Sequence, residues 1–564
     1  MKQKIVKDPL YGYISIDADI FEEIIDTNYF QRLRRIEQTS MRCLYPTARH
    51  DRFVHSIGTY YLATQAMNSL EKNLENGEGF NIANKKPENF LPPETLQSIR
   101  VSFEMAALLH DIGHSPFSHT LEEYFRTKYV RELNAIENHD IVDDLLVEMK
   151  SILTEANKTA DDFNRFETEC RNANAAPHEI ASSIMVLKCF KGILSNLAKR
   201  RNVIIDFEFL VRCILGAQYS SGHVSKEPEK RELDYKNCII KLLNSSIDID
   251  KLDYICRDSQ VSGFDNINID TTRLLNSLIL GRYVNTDGTE AYCLAFGKSA
   301  LSVIQNVVTS RNSLYTWIYS HHKVKYEVHL IEKAMQLIAE YEIDKKVQNG
   351  EIDKANKEKE EALFISSILS VDNIINNLLC DDTIWAMFMQ YQSMLPEVRE
   401  IITRNEQKKA VWKSFAEFQA LFDNAEAVPQ IGSFSAEQMH QFFNRNENDE
   451  QYKRDLELFQ AYINQFEPKP KDAKFELVVN KTKLAKIEHN AILIHLNGNL
   501  YGFDTIFKDL HKNSDIPPFF YLYCNKETKK WLLDNEKTND LIKYIKEYDR
   551  FRQEPYDEVG KMRK

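Results

Sequence analysis

Apolar residues recur at three- and four-residue spacing, with no interior proline, over 59–73, 97–110, 179–199 and 325–342. That period puts them on one face of a helix, so these runs predict amphipathic helices, and most of residues 15–345 reads helical. A charge run at 345–362 reads as a solvated helix face or loop. A helical pattern with polar punctuation resumes over 363–466. Glu467-Pro468-Lys469-Pro470-Lys471-Asp472 then marks a linker or sharp boundary. Beyond it the pattern turns strand-like. Residues 475–479 predict one strand, and 492–496 and 500–503 flank Asn497-Gly498, the strongest short hairpin signal. Pro517-Pro518 precedes another strand at 519–524, and a helix near 537–551 closes the chain. The expected fold class is mainly α: a helical core over 1–345 with an acidic, polar insertion at about 127–177, a helical extension over 346–466, and a small α+β C-terminal module over 467–564.

A chain of 564 residues is too long for one core, which fits several domains. Its 43% hydrophobic and 28% charged content is that of an ordinary globular protein. There is no run of 18 apolar residues and no apolar segment near Met1 suited to a signal peptide, so no membrane partner is expected. The nine cysteines are scattered without a Cys-x-x-Cys pair. They read as buried apolar residues in a reducing compartment, and a cytoplasmic location is expected. The net charge of −12 argues against broad nonspecific nucleic-acid binding, although a local basic pocket could still hold a polyphosphate.

The densest chemistry lies in Leu109-His110-Asp111-Ile112-Gly113-His114-Ser115-Pro116-Phe117-Ser118-His119, directly after the apolar run Met105–Leu109. Imidazole and carboxylate are ligands of borderline divalent metals. At a helix end adjacent His110 and Asp111 can converge on one ion, and His114 follows His110 by one helical turn. The bland alternative is a polar cap on an apolar helix, but a His-Asp pair there costs desolvation unless something binds it. Upstream lies His55, in Arg52-Phe53-Val54-His55-Ser56-Ile57-Gly58. Downstream lies Asp250, in Asp248-Ile249-Asp250-Lys251-Leu252-Asp253-Tyr254.

The order H…HD…D is the pattern of the HD-domain metal phosphohydrolases. The flanks extend the likeness: Gln31-Arg32-Leu33-Arg34-Arg35-Ile36-Glu37-Gln38, the Arg-Phe-x-His-Ser-x-Gly block, His-Asp-x-Gly-His-x-Pro-Phe-Ser-His, His178-Glu179, and Asp250-Lys251-x-Asp253-Tyr254-x-x-Arg257-Asp258. With Asp8-Pro9-Leu10-Tyr11-Gly12 at the start and Arg311-Asn312-Ser313-Leu314 further on, roughly residues 1–335 resemble the deoxynucleoside triphosphate (dNTP) triphosphohydrolases. That group includes bacterial dGTPases and a vertebrate enzyme with an added sterile-alpha-motif domain.

The resemblance implies an HD phosphohydrolase domain over 1–345 with a metal set of His55, His110, Asp111 and Asp250. Two imidazoles and two carboxylates suit Fe, Mn, Co or Zn better than Ca, and Mg could accompany a bound triphosphate. The same resemblance places a proton donor on His178, with Glu179 able to orient it. The long insertion leaves His139 as a competitor. His114 and His119 could contact the α-phosphate or support the acid, and Glu122 lies one turn after His119. Arg52, Lys251, Arg311 and Lys323 match the cationic positions that a triphosphate needs. Gln38, Tyr254 and Asp258 match positions lining the sugar, and the same likeness places Tyr319 at the border of that pocket. His321-His322 disturbs that last alignment by one residue. Lys4, Asp26, Gln31 and Arg34 match an allosteric nucleotide site in the vertebrate relative. Packing and salt bridging are the alternative use of those residues.

The expectation is therefore a metal-dependent dNTP triphosphohydrolase, a homo-oligomer (dimer, tetramer or hexamer), taking a nucleotide activator and used in dNTP-pool control or antiphage defence. Two rivals stay open: an HD phosphohydrolase acting on another nucleotide or a nucleic-acid end, and a slow-turnover nucleotide-sensing regulatory protein.

Overall fold

A computed structural model describes residues 2–77, 90–132, 134–220, 228–264, 267–284, 290–404, 407–424, 436–446, 449–471, 473–482, 484, 491–507 and 516–548. The chain starts with an antiparallel hairpin, β1 (Gln3–Asp8) and β2 (Gly12–Asp17). Asp51 then opens α1 (Arg52–Glu75) by accepting the Val54 N–H at 3.1 Å. Helix α2 (Pro93–Leu109) begins on a proline, whose missing N–H would have no intrahelical partner there. It ends where His110 and Asp111 leave the helix.

The expected insertion folds as the hairpin β3 (Thr127–Glu132) and β4 (Ala135–Asp140), followed by α3 (Ile141–Glu155) and α4 (Ala160–Ala173). Residue 133 of it lies outside the described residues. Next comes α5 (Pro177–Arg201), interrupted by one wide turn at 186–190. By length and composition α5 could cross a membrane, but 61% of its most apolar window is buried inside the protein, as in a core helix. Helices α6 (Phe207–Leu215), α7 (Glu229–Leu243) and α8 (Ile249–Ser262) follow. Then come the hairpin β5 (Leu278–Val284) and β6 (Glu290–Gly297), and α9 (Leu301–Leu314).

The periodicity predicts helix across 15–345, so β3–β4 and β5–β6 are departures from it. Short apolar runs such as Leu278-Ile279-Leu280 carry no period that separates strand from helix. The run at 325–342 lies in the helix His322–Gln348, and the charge run at 345–362 spans that helix's end and the start of the next, Lys357–Ile368. Helix α10 (Asp381–Tyr391) follows.

Two units emerge. The first comprises Met1–Leu314, Ala334–Gln390 and Ala485–Asn513. In it α1 packs on α2 and α8, α2 on α6, and α5 on α6 and α3. Ile57, Leu62, Ala66, Phe103, Ala106, Leu210 and Ile255 form the dry centre. Its largest sheet has the order β10–β9–β6–β5, where β9 (Leu493–Leu496) and β10 (Asn499–Gly502) are the expected Asn-Gly hairpin. Asn497 and Gly498 both take positive φ, 48° and 84°, as the two-residue turn requires. Strand β9 pairs in parallel with β6.

The second unit comprises Tyr315–Lys333, Tyr391–Leu484 and Ser514–Lys564. Its sheet has the order β7–β11–β8, from β7 (Lys409–Ala410), β8 (Glu476–Asn480) and β11 (Phe519–Cys524). Trp412, Phe418, Phe422 and Phe443 pack around Phe520 of β11. The closing helix spans Thr538–Lys546, and residues 549–551 of the expected one lie outside the described set. The protein is thus mainly α, with small sheets.

Candidate metal centre and its surroundings

Three helices bring four candidate metal ligands together, of which His55, His110 and Asp111 form one cluster able to hold an ion and Asp250 lies beside it. His55 projects from α1, His110 and Asp111 from the end of α2, and Asp250 from the first turn of α8. His55 Nε2 lies 2.9 Å from Asp250 Oδ1 and 3.7 Å from Asp111 Oδ2. His110 Nε2 lies 3.5 Å from Asp111 Oδ1 and 3.7 Å from Asp250 Oδ1. Asp250 is free for this role because Asp248 caps α8, accepting the Lys251 N–H at 2.8 Å.

The other nitrogen of each imidazole is committed. His55 Nδ1 meets Asp253 Oδ2 at 2.7 Å, and His110 Nδ1 donates to the Ala107 carbonyl at 2.9 Å. Such partners fix the tautomer and present Nε2 as the lone-pair donor. Asp253 is itself held: Arg257 Nε and Nη2 donate to its two oxygens at 2.8 and 2.9 Å, and Arg257 Nη1 reaches Asp8 at 2.9 Å. A Cβ on Gly58 would sit 2.0 Å from Asp253 Oδ1, so only glycine lets α8 come this close to α1.

The residues fit a divalent cation. Both Nε2 atoms are buried and make no aligned hydrogen bond among the described residues, a costly state without a ligand. Burial works against a charged His55, yet Asp250, Asp253 and Asp111 raise its pKa to about 10, so a proton takes up the position that suits a cation. Burial alone would raise the Asp111 carboxyl, but Arg52, His110 and His55 hold it well below the carboxylate range. The C-terminal end of α2 adds its own negative pole. Replacing Asp253 by Asn is expected to weaken metal affinity roughly 10–100-fold in a competition titration with a chelator. Wild-type affinity in that variant would reduce the Asp8–Arg257–Asp253 chain to packing.

Beside this centre lies a second cluster of His114, His119, Glu122 and His178. His178 Nδ1 donates to Glu122 Oε2 at 2.7 Å, and His119 Nδ1 approaches the same oxygen at 3.1 Å. The rings of His114 and His178 stack with centroids 4.4 Å apart. Burial pushes His178 down, but Glu122 outweighs it, with Glu179 and Asp111 adding, and its pKa rises to about 9. Burial, together with Arg52 and the neighbouring imidazoles, holds His114 well below the usual histidine value. Pro177 starts α5 and Glu179 accepts the Ala176 N–H at 2.6 Å, so Glu179 braces the helix start while Glu122 orients the imidazole. Gly113 lets the loop touch α5: its N–H donates to Ser182 Oγ at 2.9 Å, and a Cβ there would lie 2.3 Å from Ser182 N. His139 is elsewhere, on β4 opposite Lys128.

The remaining expected residues divide into those at this site and those away from it. Arg52 lies against it, donating to Asp111 at 2.8 Å, to Ser118 Oγ at 3.0 Å and to the Gln38 carbonyl at 3.1 Å. The Gln38 side chain is buried, and its Oε1 accepts no hydrogen bond among the described residues. Lys251 Nζ pairs with Asp248 at 2.6 Å, and the charge of Arg311 on α9 reaches it. Tyr254 and Asp258 follow Asp250 along α8. Asp258 is engaged by His50, 2.6 Å from Nε2, a partner that the sequence reading did not assign. Tyr319 and Lys323 belong to the second unit. At the N-terminal segment Lys4 approaches Glu22 (3.2 Å) and Asp26 (3.8 Å), Gln31 donates to the Ile25 carbonyl, and Arg34 donates to Gln31 Oε1 at 2.9 Å while lying over Phe53.

The roles of Asp253 and Arg257 had a signal in the sequence, since they stand one helical turn apart beside Asp250, whereas Asp8 pairs with Arg257 from far along the chain. His50 had none beyond its place in Arg49-His50-Asp51-Arg52.

These features are those of an HD domain, and the HD domain family model matches residues 52–164, from the start of α1 into the insertion's second helix, α4. Among curated proteins, an uncharacterised protein of Mycoplasma genitalium is 26% identical over 57% of this chain and 57% of its own length. The deoxynucleoside triphosphate triphosphohydrolase SAMHD1 of Danio rerio is 26% identical over 56% of this chain and 42% of its own. Human SAMHD1 is 25% identical over the same shares. The chain thus spans about half the length of the curated relatives it matches. Two solved structures share the fold across nearly the whole chain. One is a hypothetical protein from Aquifex aeolicus (TM-score 0.52, 17% identity, 96% of this chain and 100% of that one), and the other a phosphohydrolase from Bacteroides thetaiotaomicron (0.51, 19%, 93% and 100%).

Proposed function

We propose that the protein is a metal-dependent dNTP triphosphohydrolase, releasing a deoxynucleoside and inorganic triphosphate. The observation that carries the reading is the pairing of the His55–His110–Asp111–Asp250 set with the His178–Glu122 pair, with Arg52 against Asp111. The similarity to SAMHD1 supports the nucleotide class.

A divalent cation bound there, Fe, Mn or Zn in this reading, supplies Lewis acidity that acidifies water and draws charge from a phosphoryl oxygen. Arg52, Lys251 and Arg311 neutralise the polyphosphate. Water attacks the α-phosphorus and gives up a proton to solvent, the bond to the 5′-oxygen breaks, and His178 delivers a proton to that oxygen. Because His178 Nδ1 is held by Glu122, Nε2 is the atom that delivers it. Asp258, steadied by His50, accepts from the sugar hydroxyl, and Tyr254 packs under the deoxyribose.

Chromatography of products after incubation with each dNTP, alone and in pairs, with Mn or Mg tests the reading. Intact triphosphate supports it. Monophosphate or pyrophosphate products would support a different phosphohydrolase, and absence of turnover a sensor.

The reading extends to regulation. Asp26, Gln31 and Arg34 offer a carboxylate and a guanidinium able to read a guanine edge, and α1 begins fourteen residues after Gln38. A nucleotide that bridges two subunits there, and so binds only the oligomer, would favour a homo-oligomer by mass action. One dNTP is then expected to stimulate hydrolysis of another, with the stimulation lost in Arg34→Ala while metal content is kept. Hyperbolic kinetics for every dNTP, unchanged by added nucleotide or by Arg34→Ala, would leave this segment as packing.

A further inference from the structure

Between the metal centre and the His178 pair runs the loop 112–119, whose backbone is unusual. Phe117 and Ser118 take φ of 55° and 53°, successive left-handed residues with neither a glycine. Such a conformation persists only where its surroundings enforce it.

Some of the enforcing contacts come from Asp381 and α10, beyond the HD match and beyond the 1–335 likeness, and others from the segment 32–52. Asp381, 5% exposed, accepts the Phe117 N–H on Oδ1 at 2.7 Å and the Glu37 N–H on Oδ2 at 2.9 Å. The Phe117 ring packs on Trp385 and Phe388 of the same helix, with centroids 5.7 and 6.4 Å away. Arg32, buried, donates to the carbonyls of Ile112, at 3.1 Å, of His114 and of Leu379. Ser118 closes the figure: its hydroxyl donates to the Glu37 carbonyl and accepts from Arg52 Nε. One carboxylate therefore ties together the loop bearing His114 and His119 and the segment bearing Gln38.

We infer that Asp381 is a positioning residue for this site, holding the 112–119 loop in its left-handed conformation through the Phe117 and Glu37 N–H groups. It touches no candidate ligand. His55, His110, Asp111 and Asp250 are carried by α1, α8 and the end of α2. Removing Asp381 is thus expected to spare metal binding and to misplace His119, and through it the Glu122–His178 pair. The inference deepens the proposed function and rests on it for the effect on turnover, whereas the holding of the loop by Asp381 stands without it.

The test compares Asp381→Asn and Asp381→Ala with wild type in the full chain. Metal content, kcat and KM for dNTP hydrolysis, and amide hydrogen exchange of peptides covering 112–121 are measured. The isosteric Asn keeps one acceptor oxygen and opposes the other N–H with its own amide, so a graded series is expected. Asn should lower kcat per bound metal by roughly tenfold to a hundredfold and Ala by more, the scale of a small misplacement of catalytic groups, with metal content unchanged and loop exchange faster. A purely stabilising role would lower the folded, metal-loaded fraction and leave kcat per metal intact. Unchanged kcat per metal in Asp381→Asn overturns the inference. So does a lowered kcat without faster loop exchange. If the wild type turns over no dNTP, the proposed function fails, and the exchange of the loop alone decides the role of Asp381: faster exchange upholds the clamp, equal exchange overturns it.

Discussion

Replacing His110 and Asp111 together by alanine is expected to remove the tightly held divalent ion and abolish triphosphate release while the protein stays folded. Each lost group contributes to a different part of the site. His110 supplies a nitrogen whose tautomer is preset by the Ala107 carbonyl, and Asp111 supplies an oxygen ionised by Arg52 and two imidazoles. With both gone, His55 and Asp250 remain, too few ligands for a stable divalent site. Arg52 keeps its bonds to Ser118 and to the Gln38 carbonyl but loses a buried counter-charge, so some stability is lost as well. His110→Ala alone leaves the Arg52–Asp111 pair intact and serves as the control for that loss. Metal analysis of the purified variants and circular dichroism read the two effects separately. Full activity in the double variant would sink the metal assignment.

The grouping of His55, His110, Asp111 and Asp250 was legible because these residues sit in local sequence blocks, in the order H…HD…D with its flanks, whereas the capping of α8 by Asp248 shows only in the fold. The long amphipathic helices were legible for the same reason, since period and length are local properties. The Asn497-Gly498 turn was equally plain, because its two positive φ values select those residue types. The partner of that hairpin was not. Strand β9 pairs in parallel with β6, two hundred residues earlier, and no local pattern encodes which edge a short strand joins. The β5–β6 hairpin was hidden because Leu278–Val284 shows neither a clean alternation nor a helical period.

At the site the same division holds. Glu122 was expected to serve His119, one turn away, and it does so while also taking His178, which is 56 residues distant in the chain. Asp381 carries no motif at all. Its function is to accept two backbone N–H groups, and acceptance by a carboxylate leaves no signature in the sequence of either partner.

The other large effect concerns His178. His178→Ala is expected to keep the bound metal and substrate binding but to lower kcat by roughly 10²–10⁴-fold, the usual share of a positioned general acid. His139→Ala, on β4, should be mild. A general acid must carry its proton at working pH, and in the proposed role Glu122 is what favours the protonated form of His178. Burial disfavours the imidazolium, but the bonded carboxylate, with Glu179 and Asp111, brings the His178 pKa to about 9. Because the folded-state value lies above that of a free histidine, the His178–Glu122 contribution to stability is fully present below pH 6.5 or so and is lost as pH rises through about 9. The rate follows the same proton. In wild type kcat should hold through neutrality and decline as pH rises past about 9. Glu122→Gln removes the charge that raises the pKa, so the declining limb should move toward lower pH. A His178→Ala variant retains only the slow reaction and should lack that limb altogether. If instead His178→Ala is mild and His139→Ala severe, or if Glu122→Gln leaves the alkaline limb where it was, then Glu122 and His178 do not form the proton-donating pair.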